Sequence, residues 1–343
     1  MEQRTIGLRN NSFDLIRHVA ALLVLVSHHF ALSGLQEPGI TGYNSLGGIA
    51  VIAFFSISGL LITHSFLNAK GLADYLGKRV ARIFPALIVC AFLMTFVAGA
   101  LFAEGYVTSP AVLIDFLRIS LFGRASIEPV TDGFIFSESF NGSLWTLKIE
   151  FAFYLLVAVA LSLHRRATAA GALLALFCVA TFVLGNGPAT ALTQKLAVYG
   201  CAGIAFFAGS LLAFYKQLLG DRRRLAIMLL TCIGIASLAI GTPVAGVVVT
   251  LSICLATLSV GLLYVDRTIR GRFDLSYGIY LYAFPVQQLV INKTSLTFVP
   301  SMLLSALIVI VLAIASWHWV ERPALQWAHR RNKARINEAA TPS

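Results

Sequence analysis

Apolar runs, broken by short polar connections, recur along the chain at roughly 13–34, 46–67, 84–103, 144–163, 168–184, 196–215, 225–240, 244–264, 275–291 and 299–319. A helix rises 1.5 Å per residue, so about 20 apolar residues cross a hydrocarbon core ~30 Å thick. The pattern predicts an all-α integral membrane protein of about ten transmembrane helices. The seventh run is the shortest, and Gly241-Thr242-Pro243 forms the turn that parts it from the eighth. One polar connection is long. Residues 105–143 carry Asp115, Glu128, Asp132 and Glu138 against Arg118 and Arg124, together with the amphipathic piece AVLIDFLRISLF. That piece is expected to lie along the membrane interface as a short helix, and connections of this length are often lids or binding elements.

The first run, FDLIRHVAALLVLVSHHFAL, breaks the apolar pattern with Asp14, Arg17, His18, His28 and His29. An ionisable group at mid-membrane costs roughly 2.5–3.5 kcal/mol on insertion scales, so it is rarely present without a role. Arg17 and His28 are eleven residues apart, which is three turns plus about 20°. They share one helix face at different depths. Asp14 precedes Arg17 by three residues and is expected to pair with it. His29 points about 100° away from His28, which suits packing or hydrogen bonding, and His18 turns similarly away from Arg17.

Composition supports the membrane class. The chain is 58% hydrophobic and 12% charged, with mean hydropathy +0.83, whereas a soluble domain carries about 25% charged residues. Lys and Arg outnumber Asp and Glu by 26 to 15, but they are dispersed between apolar runs, which excludes a nucleic-acid-binding surface. Twenty of the 26 fall in tails and connections sharing one side, four on the other and two within runs. The positive-inside rule therefore places both termini in the cytoplasm. Residues 320–343 read as a basic cytoplasmic tail. The embedded Arg and His argue against a cleaved signal peptide. The five cysteines sit inside apolar runs without CxxC spacing, which suits buried packing and gives no metal site.

Other polar groups recur inside the runs. NGSLWTLKIEFAFYLL places Lys148 and Glu150 just inside one surface. A carboxylate there suits acid–base work and equally a structural ion pair with Lys148 or Arg124. The small residues Ser56, Ser58 and Gly59 of the second run suit close helix packing, and a serine nucleophile would need a base within reach. In KRVARIFPAL, Lys78, Arg79 and Arg82 form a juxtamembrane cluster. Such clusters usually face lipid headgroups, although Arg79 and Arg82, three apart on a helix, could grip a phosphate. Tyr277, Tyr280 and Tyr282 with Pro285 predict a kinked, partly polar ninth helix.

Those segments, in this order, resemble the membrane-bound acyltransferase family 3, whose members O-acylate surface polysaccharides, lipopolysaccharide O-antigens, Nod factors and some antibiotics. The matching pieces are FDLIR with Arg17-x10-His28, AVIAFFSISGLLIT, KRVARIFPAL, SLWTLKIEFAFYLL, SYGIYLY with its following Phe-Pro, and ERPAL. They span residue 13 to about 325. The resemblance implies a single transmembrane acyltransferase domain over 1–343, in a bacterial inner membrane. It implies an O-acyltransferase that takes an acyl group, most often acetyl, from cytosolic acyl-CoA to a surface glycan or lipid-linked sugar. Acyl-CoA would be a co-substrate, with no tightly bound cofactor. Carried onto this chain, Arg17 and His28 are the functional pair, Arg79 and Arg82 with Lys78 meet the donor, and Glu150 is the acidic residue of the fourth run. Asp14, Tyr277 and Tyr280 support them. Two departures stand out: Ala283 occupies a family histidine position, and Ile52-Ala53 replaces a polar residue before the Phe pair.

The chemistry expected is attack of a sugar hydroxyl on the thioester with His28 as general base, or through an acyl-histidine. Glu150 is expected to orient His28 or stabilise its charged form. Embedded Arg, His and Glu also suit a proton-coupled transporter or flippase, and Ala283 suits an inactive scaffold of a polysaccharide export complex.

Overall fold

A computed structural model of the chain describes residues 11–269, 271–328 and 330. Eleven helices of eight residues or more order these residues: α1 (Phe13–Leu32), α2 (Leu46–Leu67), α3 (Leu72–Phe102), α4 (Ala111–Ser120), α5 (Leu144–Leu163), α6 (Ala167–Gly185), α7 (Ala191–Leu212), α8 (Arg222–Ala239), α9 (Ala245–Leu263), α10 (Ser276–Lys293) and α11 (Phe298–Ala328). A two-residue antiparallel pairing, Gly39–Ile40 with Asn44–Ser45, joins α1 to α2.

Eight of the described helices are long and apolar enough to cross a membrane. The expected seventh and ninth spans are helices too, α8 and α10, but they fall short in apolarity. α8 opens on Arg222, Arg223 and Arg224, and α10 carries three tyrosines and two glutamines. Helix ends also differ from the expected bounds. α3 starts at Leu72 rather than near 84, and α11 runs on to Ala328 rather than ending near 319. Hydropathy marks only the hydrocarbon-length part of a helix, so polar extensions escape it. Both extended helices contain a π-helical turn, at Leu93–Val97 and Trp317–Glu321. Beyond Arg330 the expected basic tail lies outside the described residues.

The chain packs as two compact units, with α1 and α5 contributing residues to each. In the first unit (described residues to Val24, Pro38–Asn68 and Ala152–Asp274) α2 packs on α7 by backbone approach. A side chain at Gly59 would meet the Phe206 carbonyl, and one at Gly209 the Ser56 carbonyl. Ser56 donates to Ile52 O at 2.6 Å, so its hydroxyl is returned to its own helix. Thr63 and Ser210 bond across the contact at 2.6 Å. Small-residue packing is how helices associate without a hydrophobic drive between them, and here it accounts for the second run.

The second unit (Leu25–Glu37, Ala69–Phe151 and the described residues from Leu275) is arranged around α10. α4 is the expected amphipathic helix. It packs on α3 through Phe116 and Phe96, 5.7 Å apart, and its polar residues are closed locally by Arg118–Asp115 at 2.7 Å and Tyr106–Asp115 at 2.9 Å. The rest of that long connection is not a loose surface loop. Residues 135–143 run antiparallel to α10: Asn292 Oδ1 accepts from the Ile135 amide, and Gln288 Nε2 donates to the Phe136 and Ser139 carbonyls. Asn141 Nδ2 then reaches Leu281 O at 3.1 Å. A stretch without helical hydrogen bonds must find partners elsewhere, and α10 side chains supply them.

Gly59→Val and Gly209→Val are expected to lower the thermal midpoint of the detergent-solubilised protein, each costing about 1–3 kcal/mol or more through overpacking. Gly234→Ala, in α8 where a Cβ meets nothing within 4 Å, is expected to be neutral or to stabilise by up to ~1 kcal/mol.

Candidate active site

α1 is continuous from Phe13 to Leu32, so the spacing that aligns Arg17 with His28 applies to an unbroken helix. His28 is half-buried. Its Nδ1 is buried with no hydrogen-bond partner among the described residues. The ring meets Phe284 of α10 edge-on, with centroids 5.1 Å apart. His29 is fully buried and its partners fix its tautomer. Gln287 must turn its amide nitrogen to Leu25 O (2.8 Å), because a carbonyl only accepts; the same nitrogen lies 3.2 Å from His29 Nδ1. Nδ1 therefore carries the lone pair, and the Nε2–H faces Phe298 O at 3.2 Å and Ser301 Oγ at 3.0 Å. The two adjacent histidines differ as their spacing suggests: His29 ties α1 to α10 and α11, and His28 keeps its polar valences.

The charged residues are drawn into pairs. Arg17 Nη1 lies 3.0 Å from Asp274, just before α10. Asp14, the expected partner, acts on both by charge and accepts from the Gly271 backbone. The reach of a loop carboxylate end-on to the guanidinium thus displaces the i,i+3 neighbour. Lys78 pairs with Asp74 at 2.9 Å, and Arg79 lies over the Tyr75 ring at 5.9 Å. Arg82 stands 3.5 Å from Glu321 and over the Tyr277 ring at 5.3 Å. Glu321 is 1% exposed; the π turn of α11 delivers it inward, where Ser316 donates to it at 2.9 Å. π turns often mark functional positions.

α10 connects these places. Tyr277 donates to Ile83 O at 2.8 Å, Tyr280 bonds Thr146 at 2.6 Å, and Tyr282 donates to Ser316 at 3.3 Å. The charge of Glu150 acts on Tyr277 and Tyr280, whereas the carboxylate whose charge reaches His28 is Glu37. Ser27, next to His28, donates to Glu37. The structure thus groups Glu150 with Tyr277 and Tyr280, and His28 with Glu37 and Phe284. Asp274, Glu321 and Glu37 are absent from the sequence-derived set. Glu321 had a signal in ERPAL; Asp274 and Glu37 lie in connections that carry none. Ala283 is buried at 1% exposure, and its neighbour Phe284 is the residue that meets the imidazole.

A many-helix membrane protein with a half-buried imidazole and paired guanidinium groups on its apolar helices is the class these features define. Residues 10–320 match the family described as "Acyltransferase domain", and the chain belongs to it. It is 39% identical over 325 residues to the "O-acetyl transferase" of Shigella phage Sf6, covering 92% of this chain and 96% of that protein. It is 35% identical over 195 residues to "Nodulation protein 10" of Rhizobium leguminosarum bv. viciae (52% and 50% covered), and 29% identical over 189 residues to "Acyltransferase MdmB" of Streptomyces mycarofaciens (52% and 47%). No solved structure matches. The protein is an acyltransferase.

Glu321→Leu removes the buried carboxylate beside the part-buried Arg82 guanidinium and is expected to cost about 3–5 kcal/mol, whereas Arg82→Leu with Glu321→Leu together recovers most of that loss. Thermal unfolding of the purified variants measures both; additive losses would show that the two residues do not act as a pair.

Proposed function

We propose that the protein is a membrane O-acyltransferase that moves an acyl group, acetyl above all, from cytosolic acyl-CoA to a hydroxyl of a cell-surface glycan or lipid-linked sugar. The observation that carries this reading is near full-length similarity to a protein named O-acetyl transferase, joined to an unpartnered imidazole nitrogen on a helix that also carries Arg17. The residence is a bacterial inner membrane with both termini cytoplasmic, as the distribution of Lys and Arg favours.

In this reading the hydroxyl oxygen attacks the thioester carbonyl, the new C–O bond forms and the C–S bond breaks. His28 takes the hydroxyl proton and returns it to the departing CoA sulfur. Glu37, which accepts from Ser27 beside His28, is the carboxylate placed to offset the imidazolium charge formed on the way. Arg79 and Arg82, with Lys78, meet the donor phosphates. Arg82 does so from a fixed position against Glu321 and Tyr277. The acceptor has polar surface to meet: a cavity of about 560 Å³ is lined by Arg124, Glu128, Asp132 and Glu138 with Ser126, Thr131 and Ser137, groups suited to a hydroxyl-rich ligand.

Purified protein incubated with labelled acetyl-CoA and envelope glycan from cells lacking the protein is expected to transfer label to the glycan. His28→Ala should reduce transfer by at least 10²-fold at equal protein level, the scale of a lost general base. Arg79→Gln with Arg82→Gln should raise KM for acetyl-CoA about tenfold or more. Transfer by His28→Ala at the wild-type rate would remove the imidazole from the chemistry.

A further inference from the structure

Phe284 is the aromatic ring that stands against His28. It follows Ala283 and precedes Pro285 in α10, and it is 6% exposed. Behind it lies the extended stretch that runs along α10. A Cβ at Gly142 would come 2.7 Å from the Phe284 ring, and the Phe136 ring stands 6.0 Å away. Gly142 is thus the residue whose missing side chain lets the phenyl ring fill this place. Gly142 is held there in turn, because Asn141 before it donates to Leu281 O and accepts from the Ser143 amide and hydroxyl. On the Phe284 side the imidazole therefore meets hydrocarbon, and its Nδ1 has no hydrogen-bond partner among the described residues.

We propose that Phe284 sets the size of the acyl group the enzyme accepts, by filling the space beside His28 with a ring that Gly142 seats. The inference rests on His28 acting on an acyl-CoA thioester as described above. For the imidazole to take the hydroxyl proton, the attacking oxygen lies about 2.6–3.2 Å from a ring nitrogen. The carbonyl carbon must approach that oxygen to about 3–3.5 Å. The carbonyl carbon then lies up to about 6–7 Å from that nitrogen, a distance at which the first carbons of an acyl chain on this side meet the Phe284 ring, whose centroid stands 5.1 Å from that of the imidazole. A methyl group fits beside such a ring; a longer chain must displace it. An apolar wall also repels a sugar hydroxyl, which cannot bond to it, so this side belongs to the acyl tail rather than to the acceptor. Each methylene that a tight pocket refuses is worth roughly 10- to 200-fold in discrimination.

The test compares acetyl-CoA with butyryl-CoA, using the full chain in detergent, the same glycan acceptor and release of CoA thiol as the readout. The ratio of kcat/KM for the two thioesters does not depend on how much protein folds. Wild type is expected to favour acetyl-CoA at least tenfold. Phe284→Leu and Phe284→Ala are expected to lower that preference tenfold or more by admitting butyryl. Gly142→Ala, which drives a methyl into the ring, should slow both thioesters and leave butyryl no better accepted. A preference within twofold of wild type in both Phe284 variants overturns the inference while the acyl-CoA reading stands. Failure of wild type to consume either thioester overturns that reading, and this inference with it.

Discussion

Burial of hydrogen-bonding groups is the constraint on which this structure turns. In an apolar chain a buried group of this kind is costly without a partner inside the protein, because lipid supplies none. α10 concentrates the demand: Tyr277, Tyr280, Tyr282, Gln287 and Gln288 are all buried within eighteen residues. Their partners come from the Ile83 carbonyl of α3, Thr146 of α5, Ser316 of α11, Leu25 and His29 of α1, and the carbonyls of Phe136 and Ser139. Satisfying one helix thus fixes which neighbours it has and their register along it. A single buried acceptor or donor left unmade costs about 1–3 kcal/mol, so the set as a whole specifies the arrangement of the second unit more sharply than apolar packing, which tolerates repacking.

This explains what the amino-acid pattern revealed and what it hid. Run length located the helices, because hydrocarbon thickness is a property of the membrane and every spanning helix must meet it. It missed the polar first turns of α3, where Asp74 pairs with Lys78 and Tyr75 lies under Arg79, since such residues read as connection. Within 105–143 it found the amphipathic α4 but not the course of 135–143, because no local periodicity marks a segment whose backbone is bonded by side chains of α10, some 150 residues away in sequence. Helical spacing separated His28 from His29 correctly in kind. It could not reach the tautomer of His29, which depends on Gln287, Ser301 and Phe298.

Ion pairs followed the same division. Asp14 and Arg17 are near neighbours on one helix, and i,i+3 spacing favours their pairing by only a few tenths of a kcal/mol at a surface. A carboxylate brought by another segment can approach a guanidinium end-on, and Asp274 does so at 3.0 Å. Glu321 likewise reaches Arg82 only because a π turn rotates the end of α11. The sequence carries the residues of these pairs but not the pairing, since that is decided by loop length and helix register rather than by spacing.

The distribution of partners along α10 then has a chemical consequence. Near Tyr277 its neighbours are a guanidinium paired with a carboxylate and the Ile83 carbonyl; against the Phe284 ring stand an imidazole and the Phe136 ring. An acyl-CoA has the same asymmetry, with phosphates at one end and a short hydrocarbon at the other. A cation held against both a carboxylate and an aromatic ring keeps its place without a ligand, which in the proposed reading lowers the reorganisation needed to meet a phosphate. His28 Nδ1 has no hydrogen-bond partner among the described residues, which in the proposed reading leaves it open to a hydroxyl proton. In the proposed reading, the stretch of α10 around Tyr277 would serve the phosphate end of an acyl-CoA and the ring at Phe284 its acyl end, and Gly142, where a Cβ would meet that ring, is the position on which the inferred discrimination among acyl groups rests.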